Sequence, residues 1–257
     1  MQQRRLKKDE KRLKDFLHRK GIPVGDVYCF DQVKSTMDVA FCLNREGARN
    51  RTLVFARDQI GGRGRYGRPW FSEPGGLYAS ILLTEYDPDI PYSMLVSYAL
   101  FQVFRKLGAT VSLKWVNDVL CRNGSKVAGV LTEEGEGCTV IGMGVNVNNR
   151  GFPSVLRGNT TSLYLETGRE FGIIDLLCNI LEQVFPILKR AHEGGIAELL
   201  ADWEQEAALR GRSVKLVGAY GETTGIVRGI NRRNGSLILS VDDEVREIYE
   251  GSLFYVD

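Results

Sequence analysis

Apolar positions change their period several times along this chain, and each change marks an element. Leu6, Leu13, Phe16 and Leu17 share one face of an otherwise charged segment, which predicts an amphipathic N-terminal helix. Val27–Phe30 reads as a strand. Ser35 is a candidate N-cap with Asp38 in the first turn and Gly47 as the stop, so a helix is predicted over 36–46. Thr52–Arg57 and Gly76–Thr84 are strand-like runs, and a helix over 91–107 starts after Pro91 and ends at Gly108. Within it Met94, Leu95, Tyr98, Phe101 and Leu107 face inward, and Arg105 and Lys106 complement the dipole at its C-terminal end. Strands are then predicted at Val111–Trp115, Asp118–Arg122, Lys126–Glu133 and Cys138–Asn148; Asn123-Gly124-Ser125 joins the second and third as a hairpin.

Beyond a polar loop around 149–160, residues 173–190 and 195–208 return to helical periodicity. From Arg212 the pattern becomes short strands with tight turns. The order predicts an α+β protein with a small barrel-like module at its end, divided near Leu209–Gly211.

The hydrophobic content of 43% and charged content of 26% are those of an ordinary soluble protein, and 257 residues suffice for a large core. Nine Lys/Arg against three Asp/Glu fall in residues 1–20; the other 237 residues carry 25 basic and 29 acidic groups, a balance of −4. The body is therefore not a basic nucleic-acid-binding surface. The five cysteines (Cys29, Cys42, Cys121, Cys138, Cys178) form no CxxC pair and only two histidines accompany them, which argues against a disulfide framework and a zinc site. No metal-ligand set is predicted. A reducing cytoplasm fits this usage, and no apolar run reaches membrane-spanning length.

The chemistry concentrates in Asp58–Trp70, DQIGGRGRYGRPW, where four glycines alternate with Arg63, Arg65 and Arg68. Glycine lets backbone approach a ligand, and arginine's fork of donors matches carboxylate and phosphate oxygens. The loop is suited to wrapping an anion. Gly62, Gly64 and Gly67 satisfy the dinucleotide fingerprint formally, but a strand-like run follows instead of a helix, and no Gly-Lys-Ser/Thr exists for a P-loop. Four glycines also predict that Gly61–Arg68 is mobile until an anion orders it.

Further segments stand out: Ser35-Thr36, KWVND (Lys114–Asp118), KVAGVL (Lys126–Leu131) and GMGVNVN (Gly142–Asn148). Each has a structural reading as well as a functional one. Lys126 suits a solvated edge of a strand, Ser35 a simple N-cap, Asn117-Asp118 a turn, Gly142 and Gly144 close strand packing, and Trp115 the core.

Taken in this order with GGRGRYGRPW, the segments resemble those of the biotin protein ligases, over almost the whole chain from about residue 28. The resemblance implies a central mixed sheet flanked by helices, of the class II aminoacyl-tRNA synthetase and biotin ligase type, with an SH3-like C-terminal barrel. It divides the chain into 1–27, a basic amphipathic helix, 28–209, the catalytic domain, and 210–257, the barrel. It implies that biotin's carboxylate attacks the α-phosphate of ATP to give biotinyl-5′-AMP, and that biotin then passes to a lysine of a biotin carboxyl carrier protein. Magnesium accompanies ATP.

Carried over by resemblance, Ser35, Thr36, Met37, Gln59, Gly62, Gly64 and Gly129 hold biotin, and Arg63 and Arg65 meet its carboxylate and the phosphate. Lys126 is the implied catalytic lysine. Arg65, Arg68, Trp70, Lys114, Asn117, Asp118 and Asn146 serve the nucleotide. The chain departs from the pattern at Met37, where asparagine is common, at Tyr66, where arginine is frequent, and at Val116, where proline is usual. Repressor-type members carry about sixty more N-terminal residues with a winged helix-turn-helix; roughly 27 precede the catalytic region here, so the monofunctional type without a DNA partner is expected. The strand edge at 111–122 is the candidate surface for a homodimer. The rival reading in the same superfamily is a lipoate or octanoate ligase, and a nucleic-acid-binding module is the rival of another class.

Overall fold

The computed structural model describes residues 4–218, 221–242 and 244–256; residues 1–3 of the expected N-terminal segment and 219–220, 243 and 257 of the expected barrel lie outside the described residues. Helix α1 (Lys7–Arg19) buries Leu13 and Leu17 completely, and Leu6 and Phe16 pack at the margin of the same core. Just before α1 the chain runs antiparallel to β1 (Val27–Val33): the Leu6 N–H donates to the Cys29 carbonyl at 2.7 Å and the Asp31 N–H to the Arg4 carbonyl at 3.0 Å. These residues cover an edge that would otherwise offer unpaired backbone to another chain.

The Ser35 hydroxyl accepts from the Met37 N–H at 3.2 Å and caps α2 (Thr36–Arg45). There follow β2 (Thr52–Gln59), β3 (Leu77–Leu83), α3 (Tyr92–Lys106), β4 (Val111–Lys114), β5 (Asp118–Cys121), β6 (Lys126–Gly135) and β7 (Cys138–Val145). The predicted elements recur with ends shifted by a few residues: β1 runs on to Val33, and β7 ends at Val145, beyond which the Asn146 side-chain amide donates to the Thr161 carbonyl. Helix α4 (Leu163–Thr167), in a stretch the periodicity left unassigned, is capped by Ser162 and ended by Gly168 at φ 69°. Helices α5 (Ile173–Arg190) and α6 (Ile196–Ala207) complete the body.

The seven strands form one mixed sheet in the order β1-β2-β3-β7-β6-β5-β4, parallel between β1 and β2 and antiparallel elsewhere. Helices α1, α3 and α5 cover one face over the main core, and α6 packs beside α3 and β4. On the other face α2 sits over a smaller cluster that includes Phe30, Met37, Ala40, Val54 and Leu82. Covered on both sides, β3 buries all seven of its residues. Helix α2 does not extend across β6 and the far end of β7, and that uncovered area is where the site lies.

Strands β8 (Ser213–Gly218), β9 (Gly221–Ile230), β10 (Leu237–Val241), β11 (Glu244–Ile248) and β12 (Ser252–Tyr255) form a second, wholly antiparallel sheet in the order β11-β10-β9-β8-β12, consistent with an SH3-like module. It is tied to the body by Glu204 on α6, which accepts from Arg210 at 3.0 Å, and by the Trp115 indole N–H, which donates to the Gly235 carbonyl at 2.9 Å. Among the described residues no helix is long and apolar enough to cross a membrane.

Because α1 is part of the core, Leu17→Ala should lower unfolding stability by about 2–5 kcal/mol, read as a reduced urea midpoint with an unchanged slope. Wild-type stability would mean that α1 is an appendage.

Candidate active site

A bare patch of sheet forms the floor of a cavity of about 310 Å³. The register of β6 and β7 sets Gly129 opposite Gly144, and Gly142 lies two residues along β7 on the same face. A methyl group added to Gly144 would come within 2.5 Å of Trp70 Cε2, and one on Gly142 within 2.7 Å of Met37 Sδ. Only glycine lets the Trp70 indole and the start of α2 lie directly on the strands. The indole N–H is buried and has no hydrogen-bond partner, so it is a donor turned toward an otherwise apolar wall.

At the α2 end the lining is uncharged and polar. Ser80 donates to Thr36 Oγ1 at 2.8 Å, and Thr36 Oγ1 donates to Gln59 Oε1 at 3.1 Å. Gln59 Oε1 also accepts from the Thr36 N–H, while Gln59 Nε2 donates to Ser72 Oγ at 3.0 Å and that hydroxyl donates to the Trp70 carbonyl. The relay fixes which oxygen and which nitrogen each side chain can present, and it is well matched to a neutral ligand carrying both donors and acceptors. Ser80 escaped the sequence reading. Its one visible signal is a polar residue in the middle of the apolar run GLYASILLT.

The middle of the cavity is charged. Lys126 opens β6 and is anchored by its own backbone, its N–H donating to the Asn159 carbonyl and its carbonyl accepting from the Thr161 N–H. Its ammonium lies 2.6 Å from Asp118 Oδ1 and 5.0 Å from the centre of the Trp70 ring. It therefore stands over the glycine floor with one carboxylate and one π-face for company. Lys114 lines the far end with its ammonium 5.3 Å from the Phe254 ring centre. Burial holds that ammonium below its ordinary range; Asp118 acts in the opposite sense and Lys126 adds to the depression.

The glycine–arginine loop forms the roof. Two of its residues, Arg63 and Gly62, stand differently from the expectation. The Arg63 guanidinium is turned into the protein, forked onto Glu133 at 2.9 and 2.7 Å and onto Asp38 at 2.6 Å, so its side chain is engaged before any anion arrives. These two carboxylates, Glu133 foremost, push its pKa further above the ordinary arginine value. Arg63 thus pins the loop to β6 and α2, and what it offers the cavity is its backbone. Gly62 does not line the cavity: it packs behind the wall, where a methyl group would sit 2.3 Å from Ser72 Oγ. The loop itself is folded, with Gly64 N–H donating to the Arg68 carbonyl at 2.8 Å and Trp70 N–H to the Gly62 carbonyl at 2.9 Å.

Every other sequence-predicted site residue lines this one cavity: Ser35, Thr36, Met37, Gln59, Gly64, Arg65, Arg68, Trp70, Lys114, Asn117, Asp118, Lys126, Gly129 and Asn146. Two of them have amides already in use. Asn117 Nδ2 donates to the Val130 carbonyl at 2.6 Å, and Asn146 Nδ2 to the Thr161 carbonyl at 3.0 Å, so both hold the shape of the wall. Trp115 is only 3% exposed and belongs chiefly to the core. Four lining residues come from the C-terminal module, Gly251 to Phe254, and Arg65 Nη1 donates to the Gly251 carbonyl at 3.1 Å. Nothing in the spacing of the sequence joins positions 65 and 251.

Residues 29–148 match the model of the Biotin/lipoate A/B protein ligase family. The bifunctional ligase/repressor BirA of Bacillus subtilis strain 168 is 30% identical over 238 residues, 87% of this chain and 72% of that protein. The biotin--[acetyl-CoA-carboxylase] ligase of Paracoccus denitrificans is 31% identical over 208 residues, 75% of this chain and 85% of that protein. Among solved structures, the biotin protein ligase from Aquifex aeolicus in complex with biotin and ATP superposes with a TM-score of 0.80 at 29% identity, covering 90% of this chain and 98% of that one.

Removing one partner of the Arg63 clamp should loosen the roof. Glu133→Gln is expected to raise the rate of tryptic cleavage within Gly61–Arg68 roughly tenfold, the equivalent of about 1.4 kcal/mol for a lost charge-assisted bond. An unchanged cleavage rate would show that the glycine turns hold the loop without the clamp.

Proposed function

Since the chain belongs to the biotin/lipoate A/B protein ligase family and is related along most of its length to biotin ligases, we propose that it activates biotin with ATP and transfers it to a lysine of a carrier protein. The observation that carries this reading is the gradient inside one cavity: a neutral hydrogen-bonding end at Ser35, Thr36 and Gln59, then Lys126, then Arg65, Arg68 and Lys114. Biotin has the matching polarity, a ureido ring with donors and an acceptor at one end and a carboxylate at the other. Lipoate and octanoate carry no such group at the far end, so the hydrogen-bonding capacity that Ser35, Thr36 and Gln59 keep beyond their internal bonds would go unused against them.

The chemistry needs no nucleophile from the protein. A biotin carboxylate oxygen attacks the α-phosphorus of ATP, the bond to the β-phosphate oxygen breaks, and biotinyl-5′-AMP and pyrophosphate form. The ε-amine of the acceptor lysine then attacks the acyl carbon and displaces AMP. The protein's work is to bring two anions together and to stabilise charge that develops on the phosphoryl oxygens. In this reading Lys126 bridges the carboxylate and the α-phosphate, exchanging its contact with Asp118 for theirs. Arg65 and Arg68 face the polyphosphate, Lys114 the nucleotide side, and Trp70 covers the junction where water would hydrolyse the mixed anhydride.

Magnesium enters this scheme with ATP. Such an ion is held mainly by phosphate oxygens, and Asp118 is a carboxylate within the cavity that could meet it. The acceptor is a carboxylase's biotin carrier, by the name of the relatives, and the free cysteines support a cytoplasmic setting. The position of β4 at the end of the sheet supports a homodimer paired along that edge.

Magnesium-dependent pyrophosphate–ATP exchange tests the proposal when run with biotin, lipoate, octanoate and no acid, on wild type and Lys126→Ala. Exchange is expected with biotin alone, and to fall about 10²–10³-fold in the variant. Preferential exchange with lipoate or octanoate would replace the substrate, and exchange undiminished in Lys126→Ala would remove that lysine from the mechanism.

A further inference from the structure

Among the three arginines of the roof only Arg63 meets carboxylates. Arg65 and Arg68 form no ion pair among the described residues, yet neither is loose: both are gathered on one side chain, Tyr66. The Arg65 guanidinium carbon lies 5.0 Å from the Tyr66 ring centre and that of Arg68 5.7 Å from it. Arg65 Nη2 donates to Tyr66 Oη at 3.0 Å, and Nη1 of the same group donates to the Gly251 carbonyl at 3.1 Å. Tyr66 is itself held in the left-handed region, at φ 59° and ψ 27°, which a bulky residue seldom adopts without a compensating role.

We propose that Tyr66 is a positioning residue for the nucleotide: its ring and hydroxyl set the Arg65 and Arg68 guanidinium groups at the phosphate end of the cavity before ATP arrives. The inference rests on the proposed function and assigns one half of that site. Its physical basis is a choice between two kinds of tether. A carboxylate would orient an arginine but would neutralise it and compete with the incoming phosphates, as Asp38 and Glu133 do for Arg63. An aromatic face attracts the cation through its quadrupole without neutralising it, and the Tyr66 hydroxyl and Gly251 carbonyl hold Arg65 N–H groups by contacts that carry no opposing charge. The tether also removes part of the rotamer freedom that two long side chains would otherwise lose on binding. Tyr66 stands where the resemblance leads one to expect arginine, so in this chain a third positive charge is exchanged for order in the other two.

The test compares wild type, Tyr66→Ala and Tyr66→Phe in biotin-dependent pyrophosphate–ATP exchange at varied ATP, with biotin binding followed separately by calorimetry and folding by thermal unfolding. Tyr66→Ala should raise KM for ATP about tenfold, the sum of two cation–π contacts, and leave the biotin Kd within about twofold. Tyr66→Phe keeps the ring and should recover most of the loss. An unchanged KM for ATP in Tyr66→Ala would overturn the proposal, as would a biotin Kd weakened as much as KM, which would mean that Tyr66 only props the loop. A Phe variant as impaired as Ala would overturn the role of the ring. Absence of biotin-dependent exchange in the wild type would instead defeat the reading of the whole site, and the assignment of Tyr66 with it.

Discussion

The pairing of Gly129 with Gly144 across β6 and β7 is the constraint on which the rest of the site depends. Two opposed residues without side chains leave a patch of bare backbone on the part of the sheet that α2 does not cover. Trp70 lies on that patch, Lys126 extends above it, and Met37 at the head of α2 occupies the neighbouring position over Gly142. A side chain at Gly144 would lift the indole and with it the loop that Trp70 terminates, because the Trp70 backbone N–H is bonded to the Gly62 carbonyl, and one at Gly129 would meet the end of Lys126 at 2.9 Å. A one-residue slip in the register would turn these glycines to the opposite face and fill the cavity with side chains. The strands thus position the chemistry by what they omit.

Electrostatics impose a second condition. Four cationic side chains crowd a cavity of modest size, and without anions they would repel one another. They are accommodated in different ways: Lys126 by Asp118, Lys114 by the face of Phe254, Arg65 and Arg68 by Tyr66, with a backbone carbonyl for Arg65, while the Arg63 guanidinium is committed to Asp38 and Glu133. The arrangement grades availability. Contacts with a π-face or a carbonyl yield readily to a phosphate, a single carboxylate contact yields to a better-placed anion, and the forked pair on Glu133 does not yield. Charge that can be released is on the cavity side, and charge that cannot is on the structural side.

Much of this was legible in the chain itself because it rests on local signals. Glycines interleaved with arginines, a capped helix start, a hairpin turn and period-two alternation are short-range features, and they located nearly every strand and the glycine–arginine loop; the rest of the lining came from the resemblance of several segments taken in order. What escaped depends on contacts between distant residues. Arg63 looked like its neighbours, and only the fold sets it against Asp38 and Glu133, 25 and 70 residues away. Gly62 reads as part of a ligand loop, whereas its absent side chain makes room for Ser72. Asn117 and Asn146 look like polar ligands in KWVND and GVNVN, yet their amides are used on the Val130 and Thr161 carbonyls because the wall turns there. Residue type announced which groups could do chemistry; packing decided which were left free to do it.

The use of the C-terminal module follows from the same need. A site built only from the sheet and its loop would hold a ligand from below and from one side, and its cationic end would open to water. Strand β12 closes that end with Gly251 to Phe254, placing a backbone carbonyl against Arg65 and an aromatic ring against Lys114. Both contacts exclude solvent without adding a negative charge that would oppose a polyphosphate. Glu204 with Arg210 and the Trp115 indole with the Gly235 carbonyl tie the module to the body. A mixed anhydride persists only if water is kept from it, and a second module docked over the charged end gives that exclusion while leaving the cationic groups unneutralised for the substrate.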